Sequence, residues 1–187
     1  RPRGGDFCYS QSEILIINND ILSIKKLNPS GFVFGALKPN GRLDIELCEN
    51  VISWANPLPV TFHRAFDQCL NPFEVLGQLI ELGFERILTS GQNNNAKDGL
   101  ELLSKLTKIA GDQIQIMAGA GVNASNADDF IKAGVKAVHF TAKEWKSSEM
   151  IFTNDVSMQS EILPDNLGRF ETSKLKAIEI IKRLNQT

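Results

Sequence analysis

Five short apolar runs, each separated from the next by a stretch of helical period, constrain the fold of this chain more than any other feature. The runs are 31–37, 58–65, 86–90, 114–118 and 137–141, and they are rich in β-branched and aromatic residues. Measured from Phe32, Pro59, Arg86, Gln115 and Ala137, their starts lie 27, 27, 29 and 22 residues apart. Strands at that spacing, with a helix in every gap, are βαβ units and require a parallel sheet.

The intervening helices carry their own boundary signals. Ser10 and Glu13 make a capping-box pair, and Ile14, Ile17, Ile21, Ile24 and Leu27 follow at helical spacing. Asn71 is a cap, Pro72 suits the first helical position and Glu74 is the reciprocal acid, with Gly83 as the terminating glycine. Further helices are expected over 44–54, 96–109, 126–133 and 173–184. Residues 143–169 break the rhythm, being long, mixed and without period. In a barrel such an excursion after a strand lies at the C-terminal face, as a lid or an interface arm.

A parallel sheet with helical crossovers is either open and doubly wound or closed into a barrel. No glycine-rich dinucleotide fingerprint follows a first strand, and several strands have a polar inner phase, so the barrel is expected. Thr61 and His63 share one face opposite Val60 and Phe62, and His139 and Thr141 share one opposite Val138 and Phe140. Both histidines therefore fall on the inward phase near the C-terminal strand ends, where barrel active sites lie. The expected fold is a single α/β domain over 1–187, a parallel (β/α)8 TIM-type barrel. Such a barrel needs about 250 residues, and this chain has 187 and begins on Arg1. The opening Arg1-Pro2-Arg3-Gly4-Gly5-Asp6-Phe7 looks like the tail of a strand. The expectation is thus a barrel lacking its first two strands and most of its third, with exposed strand edges that favour aggregation or a partner.

Charge and cysteine usage narrow the partners. Twenty basic and 22 acidic residues leave a net charge of −2, with no basic run or helix face for nucleic acid or a membrane surface. No apolar stretch reaches the length of a membrane span. Cys8, Cys48 and Cys69 are odd in number and lack zinc spacing, so they read as free thiols of a reducing compartment.

Three groups of residues carry candidate chemistry. Arg1, Arg3 and Asp6 lie at the expected rim, with Asp6 a catalytic candidate and Arg1 and Arg3 candidates for binding a ligand. Arg3 offers planar donors to a carboxylate or phosphate, and the structural alternative is an Arg3–Asp6 salt bridge holding the loop. His63, Arg64 and Asp67 are the densest constellation: His63 beside a carboxylate is a candidate general acid or base, with Asp67 orienting the ring or binding substrate. The alternative is a satisfied histidine and a structural Arg64–Asp67 pair. Thr89-Ser90-Gly91 and Gly119-Ala120-Gly121 follow successive strands, where backbone amides suit an anion cradle that His139 and Thr141 would complete. The alternative there is tight turns that need small residues.

In order along the chain, RPRGGDFCYS, GFVFGALKPNGRLD, PLPVTFHRAFD, GFERILTSG, IMAGAGV and AVHFTA resemble the copper homeostasis family CutC over nearly the whole chain. The resemblance implies a self-associating β/α barrel of the cytoplasm, in part also of the nucleus, that handles copper. The family's usual candidate copper cysteines fall in strands preceding RPRGGDF. Two further positions depart from its pattern: Gly119-Ala120-Gly121 replaces three glycines, and Thr141 replaces a serine. Within this sequence Cys8, His63, Met117 and His139 are the soft donors suited to Cu(I). Two functions follow as expectations: Cu(I) binding or handling, and catalysis on a small anionic or phosphorylated metabolite at the barrel mouth.

Overall fold

Each of the five apolar runs contains a strand shorter than the run itself: β1 Phe32–Phe34, β2 Val60–Phe62, β3 Arg86–Thr89, β4 Gln115–Gly119 and β5 Ala137–His139. The structure, a computed structural model, describes residues 2–152 and 168–185. All four pairings are parallel and follow chain order, β1-β2-β3-β4-β5. Phe34 lies opposite Phe62, Ile87 opposite Ile116, and Gly119 opposite His139. Sequential parallel strands joined by helices are the α/β architecture of a TIM-type barrel. Among the described residues the sheet is open, with β1 and β5 each paired on one side.

The period-2 pattern sets the two faces as the sequence implies. Val60, Phe62, Ile87 and Ile116 are buried beneath the helices, while Thr61, Leu88 and Met117 on the other phase are half-buried. The helices are α1 Gln11–Lys25, α2 Ile45–Ala55, α3 Pro72–Glu81, α4 Leu100–Ala110, α5 Ala127–Lys132 and α6 Lys174–Leu184. The capping box of α1 is complete: Ser10 accepts from the Glu13 amide, and the Glu13 carboxylate accepts from the Ser10 amide at 2.8 Å. That amide is the chief reason the Glu13 carboxyl titrates below its ordinary range. Asn71 caps α3 by accepting from the Phe73 and Glu74 amides, and Gly83 leaves the helix at φ +80°.

Four expectations are corrected. The opening residues 2–10 carry no strand; they form a loop whose Phe7 carbonyl accepts the Leu37 amide at 2.9 Å. The helix expected from 96 begins at Leu100, because the Ala96 amide is drawn to the Ala120 carbonyl and residues 95–99 turn tightly before it. In α1 only Ile17 and Ile21 are buried, while Ile24 and Leu27 are exposed. The excursion after β5 is bounded by strands β6 Lys143–Lys146 and β7 Arg169–Thr172, paired antiparallel. Trp145 meets Phe170 edge-on at 5.0 Å, and Glu144 and Glu171 draw Lys176, Lys146 and Arg169. Those strands are held by one aromatic pair and alternating charge, so an apolar alternation never appears in the sequence. Residues 153–167 of the excursion lie outside the described residues.

Candidate functional site

The C-terminal ends of β3, β4 and β5 open into a cleft of about 760 Å³. Its floor and walls include Leu88, Val122, Phe140 and Ile180, and its polar rim includes Arg64, His139, Thr141, Lys143, Lys176 and Glu179. The loop from Ala120 to Ser125 forms one wall. Two alanines of this lining, Ala120 and Ala142, hold positive φ values of 87° and 47°. An alanine in the left-handed region is strained, and such strain persists where surrounding structure over-determines the backbone, as it does around ligand sites.

Arg64 reaches this cleft from the other side of the sheet's end, and its orientation is fixed by a buried carboxylate. It belongs to a 3-10 helix, Arg64–Gln68, that leaves β2 directly. Nε donates to Asp67 Oδ2 at 2.7 Å and Nη2 to Ser90 Oγ at 3.0 Å. The Asp67 side chain is only 4% exposed. It also accepts from the Thr89 hydroxyl, from the Ser90 amide at 2.9 Å and from the Gln92 amide at 3.2 Å. Gly91 and Gln92 take positive φ to wrap the loop around it. The loop after β3 is thus an anion cradle already filled by the protein's own carboxylate.

Several of the expected site residues have partners within the protein. Thr89 and Ser90 are fully buried and bound to Asp67, so neither reaches a ligand in the cleft. No hydrogen bond among the described residues joins His63 to Asp67. His63 Nδ1 instead accepts the Ala65 amide at 3.1 Å, capping the 3-10 helix, with its ring 4.9 Å from that of Phe7. A neutral ring that accepts at Nδ1 carries its proton on Nε2. Arg3 is engaged by Asp6 at 2.9 Å, by Glu13 and by the Cys8 carbonyl at 2.7 Å, which is the loop-holding alternative. Asp6 also accepts the Cys8 amide at 3.0 Å. Gly119 is buried under Leu88, whereas Gly121 lines the cleft. Arg1 lies outside the described residues.

Of the residues singled out in the sequence, the fold gathers Arg64, Gly121, His139 and Thr141 in one cleft. Lys143, Lys176 and Glu179 join them and carried no warning signal. Lys143 sits at the head of an unrecognised strand, with its ammonium 4.5 Å over the Phe170 ring. Lys176 and Glu179 belong to a helix whose facing depends on where β6 and β7 turn the chain. Lys176 is 3.5 Å from Glu144 and donates to the Lys143 carbonyl at 3.4 Å.

The candidate soft donors are spread along the sheet and its opening loop. Among the described residues, no group of three or more His, Cys, Asp or Glu side chains could hold a metal ion. His63 follows β2 and His139 ends β5, with β3 and β4 between them. The thiolate is the form that ligates. Burial, then the Asp6 charge, raises the half-buried Cys8 thiol, and burial pushes Cys48 and Cys69 up to about 12.

Comparison with known proteins places these observations. A family model described as the CutC family matches residues 1–144. A curated relative from Citrobacter koseri, named family protein CutC, is 43% identical over 171 residues, covering 91% of this chain and 68% of its own. The crystal structure of CutC from Streptococcus agalactiae, named for copper homeostasis, superposes with a TM-score of 0.71 at 35% identity. That match covers 74% of this chain and 69% of the other. A native KDPGal structure, at 13% identity and a TM-score of 0.54, covers 90% of this chain and 65% of its own, a likeness of fold alone.

Proposed function

This chain belongs to the CutC family, and from that premise we propose that it serves copper homeostasis through a barrel mouth that binds a small anionic metabolite. The observation that carries the anionic ligand is Arg64, a guanidinium held by Asp67 and Ser90 at the edge of the cleft that His139, Thr141 and Gly121 share. A pre-oriented guanidinium recognises carboxylate and phosphate oxygens at low entropic cost. The copper role rests on family membership and on the naming of the Streptococcus agalactiae relative. A screen of carboxylates and phosphates by thermal shift tests the anion site: a rise in melting temperature supports it, and no rise with any of them removes it.

A second reading is direct binding of Cu(I) as cargo, favoured by that same relative's name. Met117 and His139 are the soft donors on neighbouring strands, Met117 lying opposite Ala137 and Gly119 opposite His139. Equilibrium competition against a Cu(I) chelator decides it, and an affinity no better than that of a free thiol refutes it. The cytoplasm is the proposed location, in keeping with three free cysteines, and a fluorescent fusion located elsewhere would overturn it.

A further inference from the structure

We infer that the mouth cleft prefers an amphipathic organic anion, with its carboxylate or phosphate on Arg64 and an apolar body across Leu88 and the neighbouring wall. The inference rests on the proposed anion site and adds the chemical class of its ligand.

The argument is an account of which polar groups in the cleft are already satisfied. Asn123 Oδ1 accepts from the Ser125 amide at 2.9 Å and from its hydroxyl at 2.6 Å, while Asn123 Nδ2 donates to the Gly121 carbonyl at 3.0 Å. Lys176 is drawn to Glu144 and the Lys143 carbonyl, and Lys143 lies over Phe170. Arg64 has Nε and Nη2 bound within the protein. Among the described residues its Nη1 has no partner, and neither do the side chains of His139, Thr141 and Glu179. A sugar phosphate needs a hydroxyl-binding partner for nearly every oxygen, because each unpaired buried polar group is costly. The side chains of the Asn123–Ser125 wall are turned onto one another, which leaves His139, Thr141 and Glu179 as the polar side chains open to a ligand. What the cleft does offer is the half-buried apolar surface of Leu88 and Phe140, with Ala120 and Ala124 beside them and Val122 and Ile180 buried behind.

Leu88 is the part of that surface aimed at the ligand. It stands on the inner phase of β3, half-buried, and packs onto Gly119, where a methyl group would come within 2.5 Å of Leu88 Cδ1. A glycine on the neighbouring strand therefore lets the leucine lie flat across the sheet end below the cleft. A few convergent polar groups over an apolar floor are the usual make-up of a site for a small organic ligand.

The test titrates the full chain with phenyl phosphate, phenylacetate, glycerol phosphate, acetate and inorganic phosphate by isothermal calorimetry. Phenyl phosphate and phenylacetate are expected to bind at least tenfold tighter than the other three. Arg64→Lys is expected to weaken both aromatic anions at least tenfold. Leu88→Ser is expected to lower them towards the affinity of acetate and phosphate while leaving those two unchanged. The second variant, on a half-buried side chain, keeps the test decisive if the first fails to fold. Glycerol phosphate binding as tightly as phenyl phosphate would overturn the amphipathic class and leave the anion site standing. No binding by any of the five would remove both.

Discussion

The imidazole of His63 occupies the space that a side chain on Gly35 would need, since a methyl group at Gly35 would lie 2.6 Å from both Cε1 and Nδ1 of the ring. The glycine after β1 and the histidine after β2 are therefore one packing unit, and the same Nδ1 caps the 3-10 helix that carries Arg64 and Asp67. Gly35→Ala should push the ring aside, release the Ala65 amide and cost about 1–3 kcal/mol in urea denaturation. Gly77→Ala is the control. Gly77 lies in the interior of α3 with nothing within 4 Å of the added methyl, so about 0.5–1 kcal/mol of stabilisation is expected. Equal effects at the two positions would contradict this account.

Asp67 organises the loop after β3 by accepting from Thr89, Ser90, Gln92 and Arg64. Asp67→Ala leaves buried donors without an acceptor, and about 2–4 kcal/mol of stability should be lost. Asp67→Asn retains one acceptor oxygen and should lose less, yet still free Arg64 and weaken anion binding. A cleft whose affinity is unaltered in Asp67→Asn would show that Arg64 needs no such support.

The buried thiols make stability depend on alkaline pH. Folding holds Cys48 and Cys69 at about 12, against about 8.5 for a thiol in the unfolded chain. Below that lower value both states carry the protons, and stability sits at its plateau. Above it the unfolded state binds fewer protons, so stability should fall by about 1.4 kcal/mol per pH unit for each thiol, up to about pH 12. Denaturation midpoints from pH 7 to 10 measure the slope. Alkylation of the native protein at pH 8 should mark Cys8 first, because Cys48 is fully buried and Cys69 nearly so.

The sides of β1 and β5 left unpaired among the described residues, with the exposed Leu15, Ile16 and Leu22 of α1 and Leu27 just beyond it, favour self-association. Light scattering behind size-exclusion chromatography should give a mass above that of one 20.7 kDa chain. A monomer that unfolds cooperatively would refute this.

Features encoded locally were legible in the sequence. Ser10 with Glu13 and Asn71 with Pro72 announce helix starts, and strand alternation places Val60 and Phe62 beneath the helices. The same alternation put His139 and Thr141 at the mouth. The partners of Asp67 were not legible, since Thr89, Ser90 and Gln92 lie 22 to 25 positions away and come together only when β2 and β3 pair. The neighbourhood of His63 and Asp67 in sequence suggested a dyad, but a 3-10 turn between them sends the two side chains to different partners. Lys176 reached the cleft through a strand pairing that leaves no apolar periodicity to read.

The pairing of β6 with β7 sets Lys146 opposite Arg169, so the chain departs and returns across one strand spacing, about 5 Å. Any intervening length is consequently tethered at a closed neck. Lys143, three residues inside that neck, is therefore held at the cleft by the strand pair itself, and the rim it contributes is set by the register that brings Lys146 to Arg169.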